Sequence, residues 1–417
     1  MKIKNIFARQ ILDSRGWPTI ECEVVLENNQ RVKASIPSGA SVGKFECLEL
    51  RDNNPDIYLG KSVLKAVENI NKKIAPKLIG KIADVKQADK IMLELDGTQN
   101  KSNLGANSIL AVSIAITRAQ SRSLNLGLFS LIKDLYKPER ISIPKVMFNI
   151  LNGGAHADSG ICFQEFMIMP LKNNFSENLE MAVVVYQNLK KLLQKSGYAT
   201  TVGDEGGFAP RFESKNETPE KIALDYLMEA INISKFNSGK DIAICLDVAA
   251  SQFYDEKNKF YKFYNKKIDS NELVGFYKTL LSNYPIISIE DGLYEDDWTG
   301  WQFMTKELGQ DIQLVGDDIF VTNSKRIKKG IELCVANSVL IKPNQIGTVT
   351  ETLDAIKIAQ KAGYKTIVSH RSGETNDSFI SDLSVGVNSE QLKAGAPARG
   401  ERVAKYNRLL RIEEKLF

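Results

Sequence analysis

An α/β architecture, a parallel β/α barrel preceded by a small α+β unit, is what this chain predicts, and three observations carry it. Apolar runs with β character end repeatedly at a charged or polar group. Ile242-Ala-Ile-Cys-Leu stops at Asp247, Pro285-Ile-Ile-Ser-Ile at Glu290-Asp291, and Gln313-Leu-Val-Gly at Asp317-Asp318. Further on, Ser338-Val-Leu-Ile stops at Lys342 and Lys365-Thr-Ile-Val-Ser at His370-Arg371-Ser372. The steps from Glu290 through Asp317, Lys342 and His370 to Lys393 are about 25 residues each, the length of one strand-helix unit of a barrel. The longer stretch from Asp247 to Glu290 leaves room for an insertion. Finally, 417 residues exceed what one hydrophobic core supports, so two domains are expected.

Residues 2–9, 19–26 and 31–36 carry the β-branched, partly alternating pattern of strands. Glu27-Asn-Asn-Gln30 is a hairpin turn between the last two. Helical periodicity follows at 63–79, 88–95 and 106–122, the last apolar on more than one face. Three strands followed by helices make an α+β unit rather than a nucleotide-binding βαβ. Pro37-Ser38-Gly39-Ala40-Ser41-Val42-Gly43-Lys44 is not a Walker loop. Only three residues separate its glycines, and Phe45 stands where Ser or Thr must hold magnesium. Its small residues suit a mobile loop, 37–43, that approaches a ligand closely. The polar, proline-bearing Tyr136-Lys-Pro-Glu-Arg140 divides the chain into an N-terminal domain, 1–135, and a barrel domain, 136–417.

Within the barrel, Asn152-Gly-Gly-Ala-His156 is a glycine loop bearing one of only two histidines. Glu165 interrupts an apolar run, which is costly unless it faces a polar cavity. Gly203-Asp204-Glu205-Gly206-Gly207 sets two carboxylates in a turn whose glycines allow tight backbone geometry. Each strand-end carboxylate by itself fits a capped turn or a metal site, since buried carboxylates need a partner or a cation. Five polar ends in register at one barrel face are not explained by caps and point to a catalytic site.

Composition narrows the classes. With 43% apolar and 25% charged residues the chain is an ordinary soluble globular protein. Met1-Lys-Ile-Lys-Asn-Ile has no apolar run behind its charge, and no segment is long and apolar enough to span a bilayer. Cys22, Cys47, Cys162, Cys245 and Cys334 are odd in number and widely spaced, which reads as reduced core residues of a cytoplasmic protein. A net charge of +4 is small, and the cluster Lys325-Arg326-Ile-Lys328-Lys329 reads as a solvated helix face, so no nucleic-acid partner is expected.

The motifs at 37–43, Leu95-Asp-Gly-Thr98, Leu104-Gly-Ala-Asn107, 203–210, Ser288-Ile-Glu-Asp291, 316–323, Leu340-Ile-Lys-Pro-Asn-Gln-Ile-Gly347 and Ser369-His-Arg-Ser-Gly-Glu-Thr375 together resemble the enolases. The likeness runs from Ala8 to Glu414, nearly the whole chain. It implies a modified, TIM-like barrel capped by the N-terminal domain, in a homodimer or an assembly of dimers. The implied reaction is the reversible dehydration of 2-phosphoglycerate to phosphoenolpyruvate in glycolysis and gluconeogenesis, with two Mg²⁺ per site. By matching motifs, Asp247, Glu290 and Asp317 hold the first ion. Ser41 and the substrate phosphate hold the second, which is recruited with substrate. Lys342 is the base at C2, and Glu205, with Glu165, assists loss of the C3 hydroxyl. Arg371 and Ser372, beside His370, bind phosphate, Lys393 the carboxylate side, and His156 closes over the substrate. Magnesium and Lys393 should lower the pKa of Lys342. That pairing of a lysine base with Mg²⁺ is a general property of the enolase superfamily.

The sequence departs from the family pattern at Trp17, Val42, Gln187, Gln252 and Ala394, none of them a proposed catalytic or metal position. Another acid isomerase of the superfamily would have no use for the Ser369–Ser372 phosphate segment. A homologue kept only for binding would not need Lys342, Glu205 and all three ligands. A secondary cell-surface role is not readable from the sequence, and the ending Lys415-Leu-Phe417 lacks a terminal lysine.

Overall fold

A computed structural model describes residues 1–39, 43–212 and 217–416. Ser41 and Val42, at the centre of the expected mobile loop, lie outside the described residues. The chain opens with β1 (Ile3–Leu12), β2 (Pro18–Leu26) and β3 (Arg31–Ser35), paired antiparallel in that order. The central strand β2 is buried along almost its whole length, while edge strand β3 alternates exposed Arg31 and Lys33 with buried Val32 and Ala34. Trp17 stands in the tight turn before β2, where the Asp13 carboxylate accepts from the amides of Arg15 and Trp17.

The helix expected at 63–79 is interrupted. Leu64–Glu68 passes into a widened π turn at Asn69–Ile74 before Ala75–Leu78. That turn carries Asn69, which donates to Leu104 O, and Asn71, which bonds the backbone of Ala8. The next helix, Val85–Asp96, starts at Asp84, whose carboxylate accepts from Gln87 N, and stops at Gly97 with φ +70°. Helix Ala106–Ser123 is buried on most sides because it lies between the N-terminal sheet and the barrel. One face packs on β2 and β3, and Ser113 accepts from Val349 N on the other.

The barrel begins with β4 (Lys145–Asn152), β5 (Glu165–Pro170) and β6 (Ile242–Asp247). The extra length after Asp247 is a small antiparallel sheet of β7 (Tyr254–Asp255), β8 (Phe260–Phe263) and β9 (Lys266–Ile268). The barrel resumes with β10 (Ile286–Glu290), β11 (Gln313–Gly316), β12 (Ser338–Ile341), β13 (Lys365–Ser369) and β14 (Gln391–Lys393), which closes on β4. All neighbours are parallel except β5, which runs antiparallel to both β4 and β6.

Residues two apart on a strand share a face, and here that period builds a floor and a mouth. Met167, Cys245, Val315, Leu340 and Ile367 form one apolar cluster inside the barrel. Two residues toward the open end of the same strands stand Glu165, Asp247, Asp317, Lys342 and Ser369, which line a single pocket. Because β5 is reversed, its first residue faces the mouth, and Glu165 pairs in register with Asp247. Among the described residues no helix is long and apolar enough to cross a membrane. The five cysteines are free, and Cys334 is exposed rather than in the core.

Candidate active site

Followed around the ring from β5 through β6, β10 and β11 to β12, the strand ends carry Glu165, Asp247, Glu290, Asp317 and Lys342 in turn. The other arc carries His370, Arg371 and Ser372 after β13, and Lys393 on β14. Lys342 and Glu165 thus stand on opposite sides of the mouth. These groups, Glu290 apart, line one pocket with His156 and Glu205. The expected site residues that fall among the described ones are therefore brought to one end of the barrel, and each of them is largely buried.

Lys393 lies among three carboxylates. Its Nζ donates to Asp247 Oδ2 at 2.8 Å and to Glu290 Oε1 at 2.9 Å, and Glu165 Oε1 is 3.1 Å away. Burial alone would lower its pKa, but Asp247, Glu165 and Glu290 outweigh that and hold it well above the usual lysine value. Lys342 donates to Asp317, whose other oxygen accepts from Gln345 Nε2 at 3.0 Å. Magnesium, with Lys393, is expected to depress the Lys342 pKa, and the protein's own groups pull it in both directions. Burial, Arg371 and Lys393 act to lower it, but contact with Asp317 leaves it raised.

Two carboxylates face each other across His156. Nε2 of His156 is 3.6 Å from Glu205 Oε1, Nδ1 is 3.9 Å from Glu165 Oε1, and Ser372 Oγ is 3.2 Å from Nε2. Burial and the neighbouring Glu205 push the pKa of Glu165 well up. Burial would raise Glu205 too, but His156, His370 and Arg402 hold it well below the usual range. The surroundings thus push the two carboxyls in opposite directions. Arg371 forms a bidentate pair with Glu46 at 3.0 and 3.1 Å and also donates to Asn344 Oδ1.

Several residues enter that the sequence did not single out. Asp291, in a left-handed conformation at φ +44°, accepts from the amides of Asp317 and Asp318 and caps the turn after β11. Asn149 donates to Glu205 Oε2, and Gln164 donates to Asp247 Oδ2. Gln252, one of the departures from the family pattern, lines the pocket. It donates to Gln164 Oε1 and accepts from Ala155 N in the His156 loop. Only Asp291 had a local signal, its place at a strand end. Arg326, in the basic cluster read as a solvated face, instead stacks 3.8 Å from the centre of the Phe45 ring and also lies over Trp298. It fastens the segment next to the 37–43 loop.

The donor set fits a hard divalent cation. Among the described residues, Glu46, Glu165, Glu205, Asp247, Asp291, Asp317 and Asp318 line the pocket against Lys342, Arg371 and Lys393. Glu290 Oε2 and Glu165 Oε2 are buried without a hydrogen-bond partner. An all-oxygen carboxylate set suits magnesium rather than zinc or copper. Two groups have ligand atoms within 4.8 Å of one another, Asp291-Asp317-Asp318 and His156-Glu165-Glu205. The three expected ligands do not form such a group among the described residues: Lys393 bridges Asp247 and Glu290, and Lys342 pairs with Asp317. Burial and Asp317 together push the Asp318 carboxyl up to about 8, so this wall resists further negative charge.

The family comparison agrees with this architecture. Residues 3–132 match the model described as "Enolase, N-terminal domain", and residues 140–417 match "Enolase, C-terminal TIM barrel domain". With a closed eight-stranded barrel capped by a unit of strands and helices, and matches spanning nearly its whole length, this chain belongs to the enolase family.

Proposed function

We propose that this protein catalyses the reversible dehydration of 2-phosphoglycerate to phosphoenolpyruvate. The observation that best supports the reading is the order of groups around the barrel mouth. A lysine stands on one side, a pair of buried carboxyls on the other, and three carboxylates lie between them. Dehydration needs a base at C2 and an acid at C3, and a substrate held between opposite walls meets both.

Lys342 takes the C2 proton, so it must be neutral. Burial, Arg371 and Lys393 favour the neutral amine and Asp317 opposes it, so the base becomes available when the charge of Asp317 is engaged elsewhere. Asp247, Glu290 and Asp317 would hold magnesium, with a second ion recruited alongside the substrate. This chemistry supplies positive charge where a second negative charge develops on the substrate carboxylate. Lys393 steadies the same side of the substrate. On the opposite wall, Glu165 and Glu205 deliver one proton to the departing C3 hydroxyl, since two crowded carboxyls resist double ionisation. The Arg371 fork, paired with Glu46 in this structure, takes the phosphate together with Ser372. His156, between Ser372 and the two glutamates, closes over the substrate and excludes water.

The test is direct. Purified protein mixed with 2-phosphoglycerate and Mg²⁺ should develop the ultraviolet absorbance of phosphoenolpyruvate. A chelator should abolish the signal and added Mg²⁺ restore it. Absence of turnover with Mg²⁺ present would contradict the proposal and favour a homologue retained for binding.

A further inference from the structure

Arg402 lies in the first turn of the final helix, Gly400–Leu416, and is fully buried. A buried guanidinium is costly unless its donors are used, and this one spends those of its two terminal nitrogens on the loops of the catalytic mouth, while Nε has no hydrogen-bond partner. Nη1 donates to His370 Nδ1 at 2.6 Å and to Arg371 O at 2.7 Å. Nη2 donates to Ser372 O at 2.6 Å and to Asp204 O at 3.0 Å. One side chain therefore ties the segment 370–372 to the loop that presents Glu205. Room for it is provided at Gly395, where an added Cβ would come within 2.8 Å of Arg402 Cδ and of Glu205 O.

The chemistry of the contact to His370 is restrictive. Guanidinium has donors and no acceptor, so Nδ1 must offer its lone pair. The ring proton is then confined to Nε2, which lies 3.2 Å from Glu205 Oε2, close enough to act on its charge though not aligned for a hydrogen bond. We propose that Arg402 is a positioning residue that fixes His370 as the neutral Nε2–H tautomer, so that His370 presents a donor, never a lone pair, to Glu205. An Nε2–H donor favours ionised Glu205. A bare Nε2 would favour the protonated acid, so the tautomer decides which member of the Glu165–Glu205 pair holds the shared proton. The other charged or titratable groups facing this pair are His156, Lys393, Asp247, Glu290 and Tyr406. At Nδ1 of His370 the contact is Arg402 Nη1. The low pKa of His370, about 3 through burial, the nearby Arg402 and Lys393, agrees with a ring that stays neutral.

The tautomer assignment stands independently of the proposed reaction, whereas the consequence for catalysis rests on it. With only two histidines in the chain, the full-length protein labelled with nitrogen-15 at histidine gives two ring systems in long-range proton–nitrogen correlation spectra. Arg402→Met, which keeps the aliphatic stem and removes the donors, and His370→Gln, both checked by circular dichroism, perturb and assign them. The expected result is one ring locked as the Nε2–H tautomer throughout the range where free histidine titrates. In folded Arg402→Met that ring should become a mixture of tautomers or titrate. The acid limb of kcat/KM for phosphoenolpyruvate hydration should move to higher pH by about one unit, because Glu205 becomes easier to protonate. An Nδ1–H tautomer or an imidazolium in the unmodified protein overturns the proposal, even if Arg402→Met fails to fold. So does a ring unchanged in folded Arg402→Met. Failure of turnover alone, with the tautomer as expected, would instead count against the reaction proposed above.

Discussion

At the scale of single residues, the site is a set of buried charges that are stable only because each has a partner. Asp317 accepts from Lys342 and from Gln345, so removing its charge does two things. Asp317→Asn should eliminate binding of Mg²⁺, measured as loss of the rise in melting temperature that added Mg²⁺ produces in the unaltered protein. It should also destabilise the ion-free chain by roughly 3 kcal/mol in urea unfolding, because Lys342 is left buried without its counter-charge. An unchanged Mg²⁺-dependent shift would remove Asp317 from the ligand set. Residues such as Asp247, Glu290, Asp317 and Lys342 were legible in the sequence because each interrupts an apolar run, where a charge needs a reason. Arg402, Glu46 and Asn149 were not legible. They sit in stretches whose composition is ordinary, and their importance comes from contacts made across 30 to 325 residues of chain.

Among elements, the fastening of the N-terminal unit onto the barrel includes a carboxyl under tension. Asp89, on helix Val85–Asp96, accepts from the amide and hydroxyl of Thr350 at the start of helix Val349–Lys361. Its other oxygen is buried without a hydrogen-bond partner. Burial raises its pKa to about 6 despite those bonds. The folded state therefore binds a proton that the unfolded chain has already lost, and stability falls as pH rises from the ordinary aspartate value to about 6. Asp89→Asn keeps an acceptor for Thr350 and removes the charge. It should stabilise the protein at neutral pH by about 1–3 kcal/mol and flatten the pH dependence of unfolding below pH 6. A variant less stable than the parent at neutral pH would show that the charge is favourable at this helix start. The elements themselves were largely legible, since strand ends and spacing depend on local pattern. The direction of β5 was not, because an apolar run reads the same whether it is parallel or antiparallel, and only the closed barrel shows why Glu165 faces the mouth.

For the whole molecule, we predict the homodimer that the enolase resemblance implies, and sedimentation velocity should give about twice the 46.5 kDa chain mass. A monomer at micromolar concentration would contradict it. The central claim is that opposite walls of one barrel mouth perform separable halves of a dehydration. It is tested most directly by following exchange of the C2 hydrogen of 2-phosphoglycerate in deuterated solvent with Mg²⁺, by NMR, alongside phosphoenolpyruvate formation. In Lys342→Ala both exchange and product should be lost by about 10²-fold or more. In Glu205→Gln, product should be lost to a similar extent while exchange continues, with circular dichroism showing both variants folded. Exchange that persists in Lys342→Ala and disappears in Glu205→Gln would reverse the roles of the two walls and contradict the account.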